Sequence, residues 1–94
     1  MNEYESVIII KPNLEEGEIE GIITEITDLI NQNGKVIAVD KKGIKKLAYE
    51  IKKNKEGYYV IFKFEAKPES ITELERVYRI TDEVIKFIVV KEEE

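Results

Sequence analysis

The chain has 94 residues with 20 acids, 15 bases, no histidine and no cysteine. That is enough for one core but not two, and it excludes disulfide frameworks, thiolate sites and imidazole-based catalysis. With 43% hydrophobic and 37% charged residues and only two prolines, a single folded domain over 1–94 is expected rather than a disordered chain.

The start, MNEYESVIIIK, places two acids ahead of a short apolar run, unlike the positive start and longer apolar stretch of a signal peptide. No stretch approaches the apolar length of a membrane span, so a cytoplasmic protein with no membrane partner is expected. Residues 4–10, YESVIII, are rich in β-branched side chains and stop at Lys11, Pro12 and Asn13, which predicts a strand and a turn. Asn13, with Glu16 three residues on, predicts a helix cap; Ile19, Ile22, Ile23, Ile26 and Ile30 then recur at helical spacing until Asn33 and Gly34. Gly17 and Gly21 each cost this helix about 1 kcal/mol relative to alanine, so packing of the isoleucine stripe has to hold it.

Residues 35 to about 53 read as one long strand, with Leu47, Tyr49 and Ile51 alternating with Lys46, Ala48 and Glu50 and a bulge at Gly43. KNKEG predicts a turn into YYVIFKFEA, a third strand paired with the second. Pro68 stops it. Ser70 and Glu73 predict a capping box for a short helix carrying Ile71, Leu74, Val77 and Tyr78, and VIKFIVVK, residues 84–91, predicts the final strand.

Strand, helix, strand, strand, helix, strand makes two split βαβ halves joined by a hairpin. This is an α+β, ferredoxin-like sandwich: a four-stranded antiparallel sheet with two helices on one face. Right-handed crossovers put the first and third strands at the centre and the second and fourth at the edges. Period-two alternation sends Ile8, Ile10, Tyr58, Val60, Phe62, Phe64, Phe87 and Val89 under the helices, and Val7, Ile9, Tyr59, Ile61, Ile88 and Val90 to the open face. An apolar centre with a charged rim predicts a docking face for a protein partner or a second copy. The plainer alternative is that central strands are hydrophobic anyway and the chain's own tail covers part of the face.

Charge is segregated. Between 41 and 55 seven lysines stand against Glu50 alone, a local balance of +6, while the residues before carry −7 and those after −4. Lysines on an edge strand discourage aggregation, but this density points further, to a polyanionic ligand. Reactive chemistry is missing by contrast. The five glycines match no phosphate-cradling motif, and carboxylates two apart, such as Glu3 and Glu5, are common on solvated surfaces. No catalytic residue, metal, cofactor or small-molecule substrate is therefore expected. The third strand also fails the RNA-recognition-domain signature, having Glu56 for its basic residue, Val60 for a stacking aromatic and Lys63 for the last aromatic. Any RNA contact would have to come from lysines on the edge and rim.

Tyr4-Glu5, Lys11-Pro12-Asn13-Leu14, Gly43 to Tyr49 (GIKKLAY), Gly57-Tyr58-Tyr59 and Arg79 to Val84 (RITDEV) together resemble the bacterial small-subunit ribosomal protein six family over nearly the whole chain. The resemblance implies the same fold and a non-catalytic, ribosome-associated role: binding ribosomal RNA of the small-subunit platform jointly with small-subunit ribosomal protein eighteen. It implies RNA contacts at Lys45, Lys46, Arg79 and Lys86, with Tyr4 near the same end and Lys52 and Lys53 on the hairpin, and a partner on the apolar face. Three positions depart from the family pattern. Asn2 stands where arginine is frequent, Glu50 replaces a common proline, and the chain ends Lys91-Glu92-Glu93-Glu94, so residues 92–94 are expected to form a disordered acidic tail. The rival readings are a sensor or regulatory domain that homodimerises through its sheet and a small phosphate-handling enzyme.

Overall fold

Alternation along two central strands decides where everything else packs. The computed structural model describes residues 1–92. Its elements run β1 (Asn2–Ile10), α1 (Glu16–Asn33), β2 (Gly34–Ile51), β3 (Asn54–Ala66), α2 (Ser70–Ile80) and β4 (Val84–Lys91). The sheet order is β2-β3-β1-β4 with every neighbouring pair antiparallel, so β1 and β3 are central as expected.

The β1–β3 register is unbroken from Asn2↔Ala66 to Ile10↔Tyr58. It aligns Tyr4, Ser6, Ile8 and Ile10 with Phe64, Phe62, Val60 and Tyr58 on the side that meets the helices. There they join Ile19, Ile22, Ile23, Ile26 and Ile30 of α1 and Leu74 and Tyr78 of α2 in one cluster, with Phe87 and Val89 packed at its margin. Each such buried aliphatic side chain contributes about 1.5–3 kcal/mol, which offsets the weak propensity of a helix containing two glycines. One polar contact lies inside this core: the Ser6 and Tyr78 hydroxyls are 2.9 Å apart and Ser6 is wholly buried.

The helix starts differ from the expectation. Asn13 sits at φ +72, a left-handed turn residue, and α1 begins at Glu16 behind Glu15 with no side-chain cap. Asn tolerates that conformation better than most residues, so it serves the turn after Pro12 instead of the helix. Ser70 likewise does not cap. Its Oγ donates to the Lys67 carbonyl at 2.7 Å, and Glu73 pairs with Arg76 at 2.6 Å, so the capping box is replaced by a turn and an i,i+3 ion pair. At the far end of α1, Gly34 runs against β3, where a Cβ would strike the Glu65 carbonyl oxygen.

The hairpin turn is also earlier and tighter than KNKEG suggested. It is the two residues Lys52 (φ +47) and Lys53 (φ +67), with Ile51 paired to Asn54. Positive φ at both positions is the geometry of a primed hairpin turn, normally signalled by Asn-Gly; two lysines give no such signal. The Asn54 amide group steadies it by donating to the Ile51 and Lys52 carbonyls. Gly43, at φ +82 beside a register shift, is the bulge the sequence predicts. The tail expectation lies outside the described residues at 93 and 94, whereas Glu92 N donates to the Glu3 carbonyl at 2.9 Å and so continues the sheet edge.

Burial pushes the Tyr78 phenol above its usual range, against the smaller opposing effect of the Ser6 hydrogen bond. The folded state therefore holds the neutral phenol while the unfolded chain ionises near pH 10, so this contribution is complete below about pH 10 and falls as pH rises beyond it. Tyr78→Phe should leave Ser6 unpaired and cost about 1–3 kcal/mol in urea unfolding, and adding Ser6→Ala should recover part of that loss. Simple additivity of the two losses would show that the hydroxyls do not interact.

Candidate nucleic-acid interface

Beyond Lys46 the β2–β3 ladder breaks, and pairing resumes only at Ile51↔Asn54, which leaves residues 47–50 as extra length on the β2 side. That surplus arches over the open face. Leu47 packs with Ile9 and Ile85 into a second small core, flanked by Ile51 and Tyr59. Gly57 makes the approach possible, because a Cβ there would collide with Ile9 Cγ2.

Ile9 is accordingly 7% exposed. It belongs to an internal contact and not to the free docking face assigned from the sequence. Ile88 and Val90 are open to solvent, at 50% and 53%, while Val7, Tyr59 and Ile61 are half-buried. A depression of about 210 Å³ remains between the arch and the sheet, lined by Val7, Ile9, Leu47, Tyr49, Ile51 and Ile88 among others. This is below the usual 300–1,000 Å³ of a small-molecule pocket.

Tyr4 needs the same correction. Its position puts it on the helix side, where it stacks on Phe64 at 5.7 Å and is 7% exposed. Its ring is a core element and offers no surface for stacking a base.

The cations fall into groups by what already holds them. Lys41 is paired with Glu20 of α1 at 2.5 Å, a contact that raises its pKa, and Lys42 with Asp40 at 2.9 Å. Among the described residues Lys45, Lys46, Lys52 and Lys53 make no ion pair. Lys45 leans over the Tyr59 ring at 5.9 Å on the open face. Lys46, one residue further along the strand, is sent to the opposite face by alternation. Lys86 of β4 donates to the Tyr49 hydroxyl at 2.9 Å, which raises its pKa and keeps it cationic. Arg79 lies in the last turn of α2, where a cation suits the helix dipole, with its guanidinium 5.9 Å from the Phe87 ring and in a loose, exposed i,i+4 ion pair with Glu75 at 4.0 Å.

Lys52, Arg79 and Lys86 come from the hairpin tip, α2 and β4, yet they line one shallow depression of about 270 Å³ with Tyr78, Val84, Ile85 and Phe87. No acid is part of its lining. Three convergent cations over a partly apolar floor suit a phosphate backbone. Lys86 also borders the apolar depression, so the two surfaces share a wall. Leu47 and Tyr49 shape the apolar depression and Ile85 the cationic one, and sequence reasoning assigns none of them to the site. Strict alternation hides them, because the arch exists only where pairing stops. Among the described residues no group of carboxylates is placed to hold a metal ion.

Gly57→Ala should therefore lower stability by about 1–3 kcal/mol, the usual cost of overpacking, while the β1–β3 core stays intact. Chemical denaturation checks the loss, and an unchanged midpoint would mean that Ile9 and Leu47 do not press on this backbone.

The family model described as Ribosomal protein S6 matches residues 3–91. The chain is 44% identical to small ribosomal subunit protein bS6 of Heliobacterium modesticaldum, covering 100% of this chain and 99% of the other, and 42% identical to bS6 of Moorella thermoacetica, at 100% and 97%. Among solved structures it superposes on 30S ribosomal protein S6 of Thermotoga maritima with a TM-score of 0.92 and 36% identity, over 97% of this chain and 87% of that one. A protein of Arabidopsis thaliana, 18% identical with a TM-score of 0.58, shares the fold alone.

Proposed function

The chain belongs to the ribosomal protein S6 family, whose members are non-catalytic proteins of the small ribosomal subunit in the cytoplasm, and from that premise we propose how it is held there. Lys45, Lys46, Lys52, Lys53, Arg79 and Lys86 neutralise phosphates of ribosomal RNA, and the face formed by Val7, Tyr59, Ile61, Ile88 and Val90 receives small-subunit ribosomal protein eighteen. The convergence of Lys52, Arg79 and Lys86 on one acid-free depression is the observation that carries the RNA half of this reading.

Lysine and arginine supply affinity through counterion release and carry little sequence information. Selectivity then comes from RNA shape and from the second protein's added surface. A partner also gives the exposed Ile88 and Val90 a reason to be apolar, since burying them is favourable by about 25 cal/mol per Å².

Binding to platform-region ribosomal RNA, measured over a salt series with and without protein eighteen, tests both halves. Lys45→Ala with Lys46→Ala should reduce the salt slope by about 0.7–0.9 per lost contact. Because the two side chains leave the strand on opposite faces, a loss equivalent to one contact would mean that one face meets the RNA, and the single variants Lys45→Ala and Lys46→Ala would identify which. An unchanged slope removes both.

For the protein partner, Ile88→Asp should weaken association at least about tenfold while unfolding at the wild-type midpoint, because a charge is tolerated at an exposed position but not in a docked apolar centre. Equal affinity would return the open face to an ordinary solvated sheet surface.

A further inference from the structure

On the side of the molecule away from the open sheet face, a groove of about 450 Å³ runs between α1 and α2. Ile22, Ile26 and Leu29 supply one wall and Val77 and Ile80 the other. Ile80 is 62% exposed, the one large apolar side chain of either helix left open among the described residues. Ordinary packing would turn such a residue inward, but here α2 stops at Ile80 and Thr81 caps it by bonding to the Val77 carbonyl.

The charged residues that line this groove have one sign. Glu25 and Asp28 stand on its α1 rim, and neither lysine nor arginine lines it. The two arginines of α2 are engaged elsewhere, Arg76 with Glu73 at 2.6 Å and Arg79 against Phe87. Helix α1 as a whole carries five acids and no base, and only Glu20 of these has an ion-pair partner among the described residues.

We propose that this groove binds a short amphipathic helix of a protein partner, one whose apolar stripe is flanked by lysine or arginine. A groove with an apolar floor and a polar, acidic rim suits helix-in-groove recognition, and the acids select cationic flanks. RNA is repelled by the same acids. A second copy of this chain is a poor occupant, because its one dense basic segment is the hairpin, whose Leu47 and Ile51 are already folded against the sheet. The groove uses none of the residues assigned to RNA or to protein eighteen, so it stands or fails independently of them.

A labelled 14-residue helical peptide of leucine and lysine, titrated into the full chain, tests this. Glu25→Lys with Asp28→Lys, and separately Ile80→Asp, should each weaken binding about tenfold or more. Glu16→Lys with Glu18→Lys makes the same charge change on α1 outside the groove and should alter binding less than about twofold. All four substituted acids are exposed, so the variants should fold, and Ile80→Thr serves if Ile80→Asp does not. Equal losses in groove and control variants would reduce the effect to diffuse attraction and overturn the proposal. So would absence of saturable binding, or a wild-type dimer in sedimentation that Ile80→Asp disperses.

Discussion

A strand cannot choose one face. Its side chains alternate, and β1 and β3 are apolar on both sides of a sheet that has helices on only one. The helix side is solved by the isoleucine stripe of α1 together with Leu74 and Tyr78. The other side has only what the sheet can fold back over itself, namely the surplus residues of β2. Leu47 reaches Ile9 and Ile85 because β2 is longer than the strand it pairs with and because Gly57 has no Cβ. What that arch does not reach, Ile88 and Val90, stays in water. The exposed patch is thus the remainder of a packing problem that the chain solves halfway, and a second protein can complete it.

The same arch determines which cations are available. Near the base of the hairpin Lys41 and Lys42 are paired with Glu20 and Asp40, whereas towards the tip Lys45, Lys46, Lys52 and Lys53 form no ion pair among the described residues. Exposed ion pairs contribute little to stability, so the inner pairs matter less for the fold than for where positive charge is left over. That surplus collects at the end of the molecule where α2 delivers Arg79 and β4 delivers Lys86. At the tip, two non-glycine residues hold positive φ, a conformation that costs of order 1 kcal/mol or more each. Lysine in place of Asn-Gly is therefore better explained by its charge than by the turn.

Most of the architecture was legible in the sequence because it rests on periodicity. The six elements and the identity of the buried face follow from counting by two or by 3.6, the central position of β1 and β3 from the handedness of the crossovers, and the bulge from Gly43 inside a strand. The errors share a different origin. Asn13 and Ser70 were assigned to caps, yet short polar side chains satisfy turns equally well, and only the neighbouring backbone decides. Tyr4 enters the RNA-binding set through likeness to a family, although its own alternation with Ser6 and Ile8 already points inward. Ile9 obeyed the alternation but was covered by an irregular segment, and irregular segments carry no period to read. The convergence of Lys52, Arg79 and Lys86 had no sequence signal either, since the three are far apart in the chain and meet only through the sheet order.

Lys86 borders both depressions, and Tyr49, which accepts its hydrogen bond, stands on the arch that walls the apolar one. A protein seated against Ile88 and the arch would restrict Tyr49 and, through it, the Lys86 ammonium beside the RNA-facing depression. RNA holding Lys86 would in turn fix the wall that the protein meets. Ordering these side chains costs side-chain entropy, and whichever ligand arrives first bears that cost for the second. Linkage requires the benefit to be reciprocal, so on the proposed reading joint binding of RNA and protein eighteen follows from one shared lysine, without any change of fold.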